Sequence, residues 1–358
     1  MINKAFFQNI NEVAEDNDLS KEQVYYAFEQ GLIAACKKQL GVQTCRVEFR
    51  EEKNELLIFG QYFVLPEGEL NLDLDKKYTF IKLADAKEMN SRAKANELLE
   101  VKIEPGEFNY NASRDLKHRF NEVLNQIKKE NIYQGLKKLQ YEMVNARVLD
   151  VEQEIYRIEI NKDVITMLPK KEALPTDKFH IGDRIKVYVT DVEMKPKGPK
   201  IYVSRTHVGL ITRLLEEHVP EIKDGTIEVL GIARDPGDRS KVGLRSNNEN
   251  VDVIGATVGE GGVRIKEISK YLSGEKIDLF RWSDNEKELI ANSLQPAPVV
   301  AVTKVNPKDK SALAIVPDQQ LSLAIGKLGQ NVKLAVQASG WSIDIKSESI
   351  AAEEGIIY

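Results

Sequence analysis

The feature that most restricts the fold of this chain is a helical stretch broken twice by glycine, and then the same break again elsewhere. In "LAIGKLGQNVKLAV", residues 323–336, an apolar run stops at Gly326, passes through Lys327 and Leu328, and stops again at Gly329. It resumes at helical spacing with Val332, Ala335 and Val336, and Leu321, Ala324, Ile325, Val332 and Val336 are the expected core of this helix pair. A glycine costs about 1 kcal/mol against alanine inside a helix, so two so close together end one helix and start another. Setting "VGEGGVRIKEISKYLSGEKIDLF" under "IGKLGQNVKLAVQASGWSIDI" places Gly259 on Gly326, Gly262 on Gly329, Ile265 on Val332 and Lys266 on Lys333. After a single gap, Gly274 falls on Gly340 and Ile277-Asp278 on Ile343-Asp344. Each copy follows a helix and two strands: "GLITRLLEEHV", "GTIEVLGIARD" and "SKVGLRSN" in the first, "NEKELIANSL", "VVAVTKVN" and "SALAIVPD" in the second. Both halves of residues 207–346 therefore predict helix, strand, strand, helix, glycine turn, helix, strand.

A glycine turn at the start of a helix suits a phosphate. Its amides can point outward, the missing side chains let another backbone approach, and the helix adds a partial positive charge. A Walker loop is excluded because Leu321 stands where its first glycine belongs and Leu328 replaces its Ser or Thr. No G-x-G-x-x-G opens a helix after a strand here, so a dinucleotide fingerprint is excluded as well. A G-x-x-G between two helices is the KH signature, which clamps the backbone of about four single-stranded nucleotides. A plain helix–helix turn accounts for one such copy; two matched copies in one element order favour the clamp.

Before the repeats, residues 3–40 predict two helices, with Ser20 and Gln23 in a capping-box pattern and Gly41 as a C-cap. Strand-like runs follow in "TCRVEFR", "ELLIFGQYFVL", "YTFIKLA" and "ELLEVKIEP", then a long helix with Leu116, Phe120, Val123, Leu124 and Ile127 on one face. Residues 1–133 thus predict an α+β domain with no basic cluster that suggests RNA. Residues 134–206 predict a small barrel of short strands: "EMVNARVLDVEQ", "EIYRIEIN", "DVITMLPKKEAL", "GDRIKVYVTDVEM" and "GPKIYVSRT". The lysine-rich "KPKGPK" between the last two is a solvated hairpin tip or a phosphate contact.

Composition narrows the function classes. The 358 residues carry 51 basic and 56 acidic groups, a formal charge of −5, so any nucleic-acid surface must be local. The N-terminal "MINKAFFQNINEVAEDND" turns acidic at once and predicts no signal peptide, and no run approaches the roughly 18 apolar residues of a membrane span. Cys36 and Cys45 are too few for a disulfide framework, and the expected compartment is the cytoplasm. His118, His180, His207 and His218 lack Cys or His neighbours at metal-ligand spacing, so no metal, cofactor or catalytic group is expected. Catalysis of RNA turnover would need a metal-binding carboxylate core that residues 1–133 do not suggest. A KH protein of ribosome assembly is the other rival.

The order α+β domain, small barrel, KH, KH resembles the NusA family of bacterial transcription elongation and termination factors over nearly the whole chain. The matches are "KGPKIYVSRTH", "VPEIKDGTIEVLGIARDPGDRSKVGL", "GEKIDLFRW" and "LAIGKLGQNVKLAVQASGW". The resemblance implies an α+β multidomain protein with an N-terminal RNA polymerase-binding domain (1–133), an S1-type OB-fold (134–206), tandem type II KH modules (207–283 and 284–348) and a tail (349–358). It implies a monomer that contacts RNA polymerase, nascent single-stranded RNA and other Nus factors, modulates pausing, termination and antitermination, and catalyses no reaction. The expected RNA contacts are Gly259, Glu260, Gly261, Gly262, Arg264 and Lys266 in the first module. In the second they are Gly326, Lys327, Leu328, Gly329, Gln330, Asn331 and Lys333; the barrel adds Tyr156 and Arg205. Glu260 places a carboxylate beside the phosphate of the first clamp, which then relies on Arg264, Lys266 and Lys270.

Overall fold

The computed structural model describes residues 5–66, 78–161 and 164–358, which fall into two compact units, residues 1–134 and 135–358. In the first, α1 (Ala5–Asp16) and α2 (Lys21–Leu40) lead to β1 (Cys45–Arg50), β2 (Glu55–Leu65), β3 (Thr79–Lys82), α3 (Leu83–Met89), β4 (Leu98–Ile103) and the long α4 (Tyr110–Lys137). The Ser20–Gln23 capping box forms, and Gly41 closes α2 in the left-handed region. Strands β1 and β4 pair antiparallel with β2, whereas β3 pairs parallel to it. The end of "YTFIKLA", read as strand, instead begins α3 at Leu83, with Lys82 as its N-cap. Phe120, Val123, Leu124 and Ile127 of α4 pack on α1 and α2, and Leu116 joins the core between α2 and the sheet. Cys36 and Cys45 are buried together in that second core, where their mutual hydrogen bond and burial push the Cys45 thiol pKa up.

The second unit opens with five strands, β5 (Met143–Val151), β6 (Ile155–Asn161), β7 (Val164–Pro169), β8 (Arg184–Lys195) and β9 (Gly198–Ser204), in the order β7-β6-β5-β8-β9. Thr166 Oγ1 on β7 donates to the Ile201 carbonyl on β9 at 2.7 Å, so the ends of the sheet approach and a nearly closed barrel of OB type results. Next come α5 (Val208–His218), α6 (Pro220–Lys223), β10 (Ile227–Asp235), β11 (Arg239–Ser246), α7 (Val253–Val258), α8 (Val263–Tyr271) and β12 (Lys276–Arg281). The second copy follows as α9 (Glu286–Ser293), β13 (Ala301–Asn306), β14 (Ser311–Val316), α10 (Leu321–Ile325), α11 (Gln330–Ser339) and β15 (Ser342–Ser347). Each copy has a three-stranded sheet in which the first two strands are antiparallel and the third runs parallel to the second. Val242 lies opposite Leu279 in one sheet and Ala314 opposite Ile345 in the other. The stretch read as a tail folds back: α12 (Glu348–Glu353) is capped by Ser347, and its Ala351 is buried against Leu313 and Ile315.

The modules are not beads on a string. Leu174 and Tyr188 of the barrel belong to the same core as Leu210, Leu214 and Val242 of the first KH module. Ala233 and Phe280 of that module belong to the core of the second. Gly231 is what lets α11 lie on β10: a Cβ there would run into the Ala338 carbonyl and come within 2.9 Å of the Trp282 ring. Across the same seam, the fully buried Lys241 donates to the Gln295 carbonyl at 2.5 Å. Burial disfavours its ammonium and pushes the pKa down from 10.5 to about 8, with Asp278 opposing and Arg239 reinforcing the shift. Between those two values the unfolded chain binds more protons than the folded one, so this lysine makes stability rise with pH over that window. We expect urea unfolding of the chain to show a rise from pH 8 to 10.5 that exceeds that of Lys241→Met by on the order of 3 kcal/mol; parallel curves for the two proteins would contradict the assignment.

Candidate nucleic-acid interface

The two glycine turns take the same shape. Gly259 and Gly326 close the preceding helices at φ/ψ of 74/168° and 77/170°, and Gly262 and Gly329 precede the following helices at 78/18° and 75/14°. The third position is also left-handed in both, occupied by Gly261 at 62/13° and by Leu328 at 52/29°. In the second turn a leucine thus adopts a conformation that disfavours L side chains, while standing 97% exposed. The turn is braced from behind by Asn331, whose Nδ2 donates to the carbonyls of Leu294 and Ala324 at 3.0 Å. Its backbone lies so close to Gly326 that a Cβ there would meet it at 2.7 Å. Asn331 is therefore a buried support for the clamp, a correction to its expected place among the RNA contacts.

Charge separates the two turns. Arg264 is bound to Glu221 at 2.9 Å and to the Ala256 carbonyl, Lys266 donates to the Gly261 carbonyl at 2.9 Å, and Lys270 pairs with Glu267 at 3.4 Å. Glu260 is exposed at the tip, and of the cations expected to offset it Arg264 and Lys270 pair with other carboxylates while Lys266 stays on the turn's own backbone. Around the second turn, Lys327 and Lys333 are exposed and have no ion-pair partner among the described residues. Beside them Leu323 and Ile325 are 45% and 37% exposed. Ile325, expected in the core with Leu321, Ala324, Val332 and Val336, instead extends an apolar surface next to the clamp.

The barrel residues are corrected more strongly. Tyr156 is buried, its ring edge-on to Phe179 at 5.3 Å between centroids, and presents no open face to a base. Arg205 is also buried. Its Nε and Nη2 grip Asp177 at 2.7 and 2.9 Å, its Nη1 donates to the Lys186 carbonyl and its Nη2 to the Tyr271 carbonyl, and Phe179 lies under the guanidinium at 5.0 Å. Tyr156 thus packs within the barrel, and Arg205 joins the barrel to the first KH module. No short-range pattern marks Phe179 or Asp177 for this task. The "KPKGPK" stretch is an exposed hairpin end on which Lys195 pairs with Glu193 at 2.6 Å and Lys200 lies over Tyr202.

Two features were not foreseen from sequence. The β10–β11 hairpin of the first KH module reaches the second clamp, and Asp235 and Asp238 both accept from Gln330 Nε2 at 2.7 Å. In the first unit Lys87, Arg92 and Lys94 line a cleft with Leu83 and Glu97. Among the described residues no group of His, Cys, Asp and Glu is placed to hold a metal ion, and no helix is long and apolar enough to cross a membrane.

The left-handed Leu328 has a measurable cost. Leu328→Gly should raise stability by up to about 1 kcal/mol, because strain is relieved and the exposed side chain contributes no packing. Thermal or urea unfolding checks this; a loss of stability would mean that the side chain supports the turn.

Comparison with known proteins agrees with this architecture. Residues 5–130 match the NusA N-terminal domain model, residues 205–282 the NusA-like first KH domain and residues 286–353 the NusA-like second KH domain. The chain is 37% identical over 99% of its length, and 91% of the relative's, to the transcription termination/antitermination protein NusA of Halalkalibacterium halodurans. It is 37% identical to the protein of that name from Bacillus subtilis, covering 96% of this chain and 90% of that one. The Thermus thermophilus protein is 34% identical, with 98% and 92% covered. With two matched clamps, an OB-type barrel between them and the N-terminal unit, and relatives of this similarity along nearly their full length, the chain belongs to the NusA family.

Proposed function

We infer that this protein is an RNA-binding transcription factor that acts in termination and antitermination, docks on RNA polymerase through residues 1–134 and holds nascent single-stranded RNA on its KH modules. The observation that carries the RNA half of this reading is the second turn. Lys327 inside the braced G-x-x-G and Lys333 on the following helix are exposed with no ion-pair partner among the described residues. That helix directs its N-terminus at the same point, and exposed Leu323, Ile325 and Leu328 offer apolar surface to bases. The first turn, with Glu260 at its tip and Arg264 committed to Glu221, is the weaker clamp. The polymerase half rests on the family and on a first unit with cores of its own. The relatives' names as termination/antitermination proteins support a protein that binds rather than catalyses, and we propose that it works as a monomer with other Nus factors in the cytoplasm.

Transcription in vitro on a template with a hairpin pause tests the reading, and the protein should lengthen the pause. Replacing Lys327 and Leu328 together by Asp should leave the circular dichroism unchanged, because both side chains are exposed. It should weaken single-stranded RNA binding roughly tenfold or more, since two carboxylates would then face a phosphate. Affinity should fall with salt along a shallow log–log slope, few phosphates being neutralised. Unchanged RNA affinity in the double variant would reduce the turn to a helix connection. Separately, a fragment of residues 1–134 should capture RNA polymerase from solution; capture by residues 135–358 alone would reverse the assignment of the docking unit.

A further inference from the structure

Where the first KH module meets the second clamp there is a cleft of about 380 Å³, within the range of small-molecule sites. One wall carries Asp235 and Asp238, and the other carries Lys327, Gln330 and Lys333. We propose that this cleft is a base-reading pocket for one nucleotide of the bound strand, and that it selects guanine. The proposal rests on the phosphate-clamp reading of the second turn and adds to it a base specificity.

The acidic wall is prepositioned. Arg234 and Glu275 form a buried pair through Nε and Nη2, at 2.9 Å each at their closest. Glu275 also accepts from the Gly237 amide at 2.9 Å and from Ser240 Oγ at 2.5 Å, so the hairpin that carries Asp235 and Asp238 is tied down at both ends of its turn. Gly237 holds this turn at φ +84° against Pro175 of the barrel. A carboxylate offers roughly four lone-pair positions, and the single amide nitrogen of Gln330 leaves most of them open on each aspartate.

The charge pattern sorts a nucleotide entering the cleft. Its phosphate is repelled by the aspartates and drawn to Lys327 and Lys333, which leaves the base edge toward the carboxylates. A carboxylate only accepts, so it favours a base with two adjacent N–H donors. Among the four ordinary bases guanine alone has them, at N1 and N2; cytosine and adenine offer one amino group and uracil one imide N–H. The Gln330 carboxamide, held at its nitrogen, keeps an oxygen for a further donor.

The experiment uses the intact chain and short oligouridylates that carry a single guanosine at each position in turn. One register should bind about tenfold more tightly than plain oligouridylate, as a bidentate contact discriminates. Inosine in that register, which lacks the N2 amino group, should lose most of the gain. The D235N/D238N variant should lose the guanosine preference and bind plain oligouridylate at least as tightly as the parent, two negative charges having been removed. No preferred register, equal binding of inosine, or a preference that survives in the variant would each overturn the pocket and leave the aspartates as braces for α11. If the variant does not fold, the inosine comparison in the parent decides alone. Failure of the underlying clamp reading looks different: the Lys327→Asp, Leu328→Asp variant would then bind oligouridylate as well as the parent, whereas failure of the pocket alone leaves that variant weakened.

Discussion

The second unit depends on the buried pair of Arg205 and Asp177. Two ions removed from water carry a desolvation cost of several kcal/mol each, which their attraction offsets only when every remaining donor and lone pair is also used. Asp177 meets that condition on both oxygens, and all three guanidinium nitrogens of Arg205 donate. Beyond the bidentate contact, the guanidinium reaches the carbonyls of Lys186 and Tyr271, and Asp177 accepts from Ser273 Oγ at 2.6 Å and the Leu174 amide at 2.8 Å. Three segments from barrel and KH module converge on one carboxylate. Such a network adds little net stability over an apolar core, but it admits one relative placement of the two modules and makes others costly.

A second buried pair, Arg234 with Glu275, repeats the arrangement two residues further along the same segments, its guanidinium reaching the His207 carbonyl at 2.7 Å. His207 in turn stacks on Tyr188 at 4.7 Å and caps α5. Beside the pairs, one apolar core is shared by barrel and first KH module, and Ala233 and Phe280 of that module join the core of the second. Both clamps are consequently features of one body, and the hairpin beside the second clamp is a fixed wall of it.

How much of this was legible in the sequence follows the range of the interactions. Ser20 with Gln23, Gly41, and the glycines of both turns act within a few residues, and each was found where the pattern put it. The five barrel strands and the duplicated element order are likewise local periodicities seen in series. Tyr156, Arg205 and Asn331 were misread because their surroundings come from afar: Arg205 finds Asp177 28 residues away and Tyr271 66 away, and Asn331 finds Leu294 37 away. Ile325 failed for the converse reason, since an apolar residue at helical spacing reads as core unless the partner surface is known to be missing. Asp235 and Asp238 lie 95 and 92 residues from Gln330, in a different module, and nothing near them in the chain announces the meeting.

The shared core also sets an order of events on the ribosome. When the last barrel strand ends at Ser204, Arg205 already has Asp177 and the Lys186 carbonyl, but the Tyr271 carbonyl and Ser273 hydroxyl that complete its shell have not been made. Phe280 then stays without the cover of Leu334 and Ala338 until the end of α11 has emerged. A chain of this kind passes through a stage in which a finished module still shows an apolar face to solvent, until the segment that covers it has emerged. That interval, from Phe280 to the end of α11, spans about sixty residues of synthesis in which the face is open to a neighbouring chain.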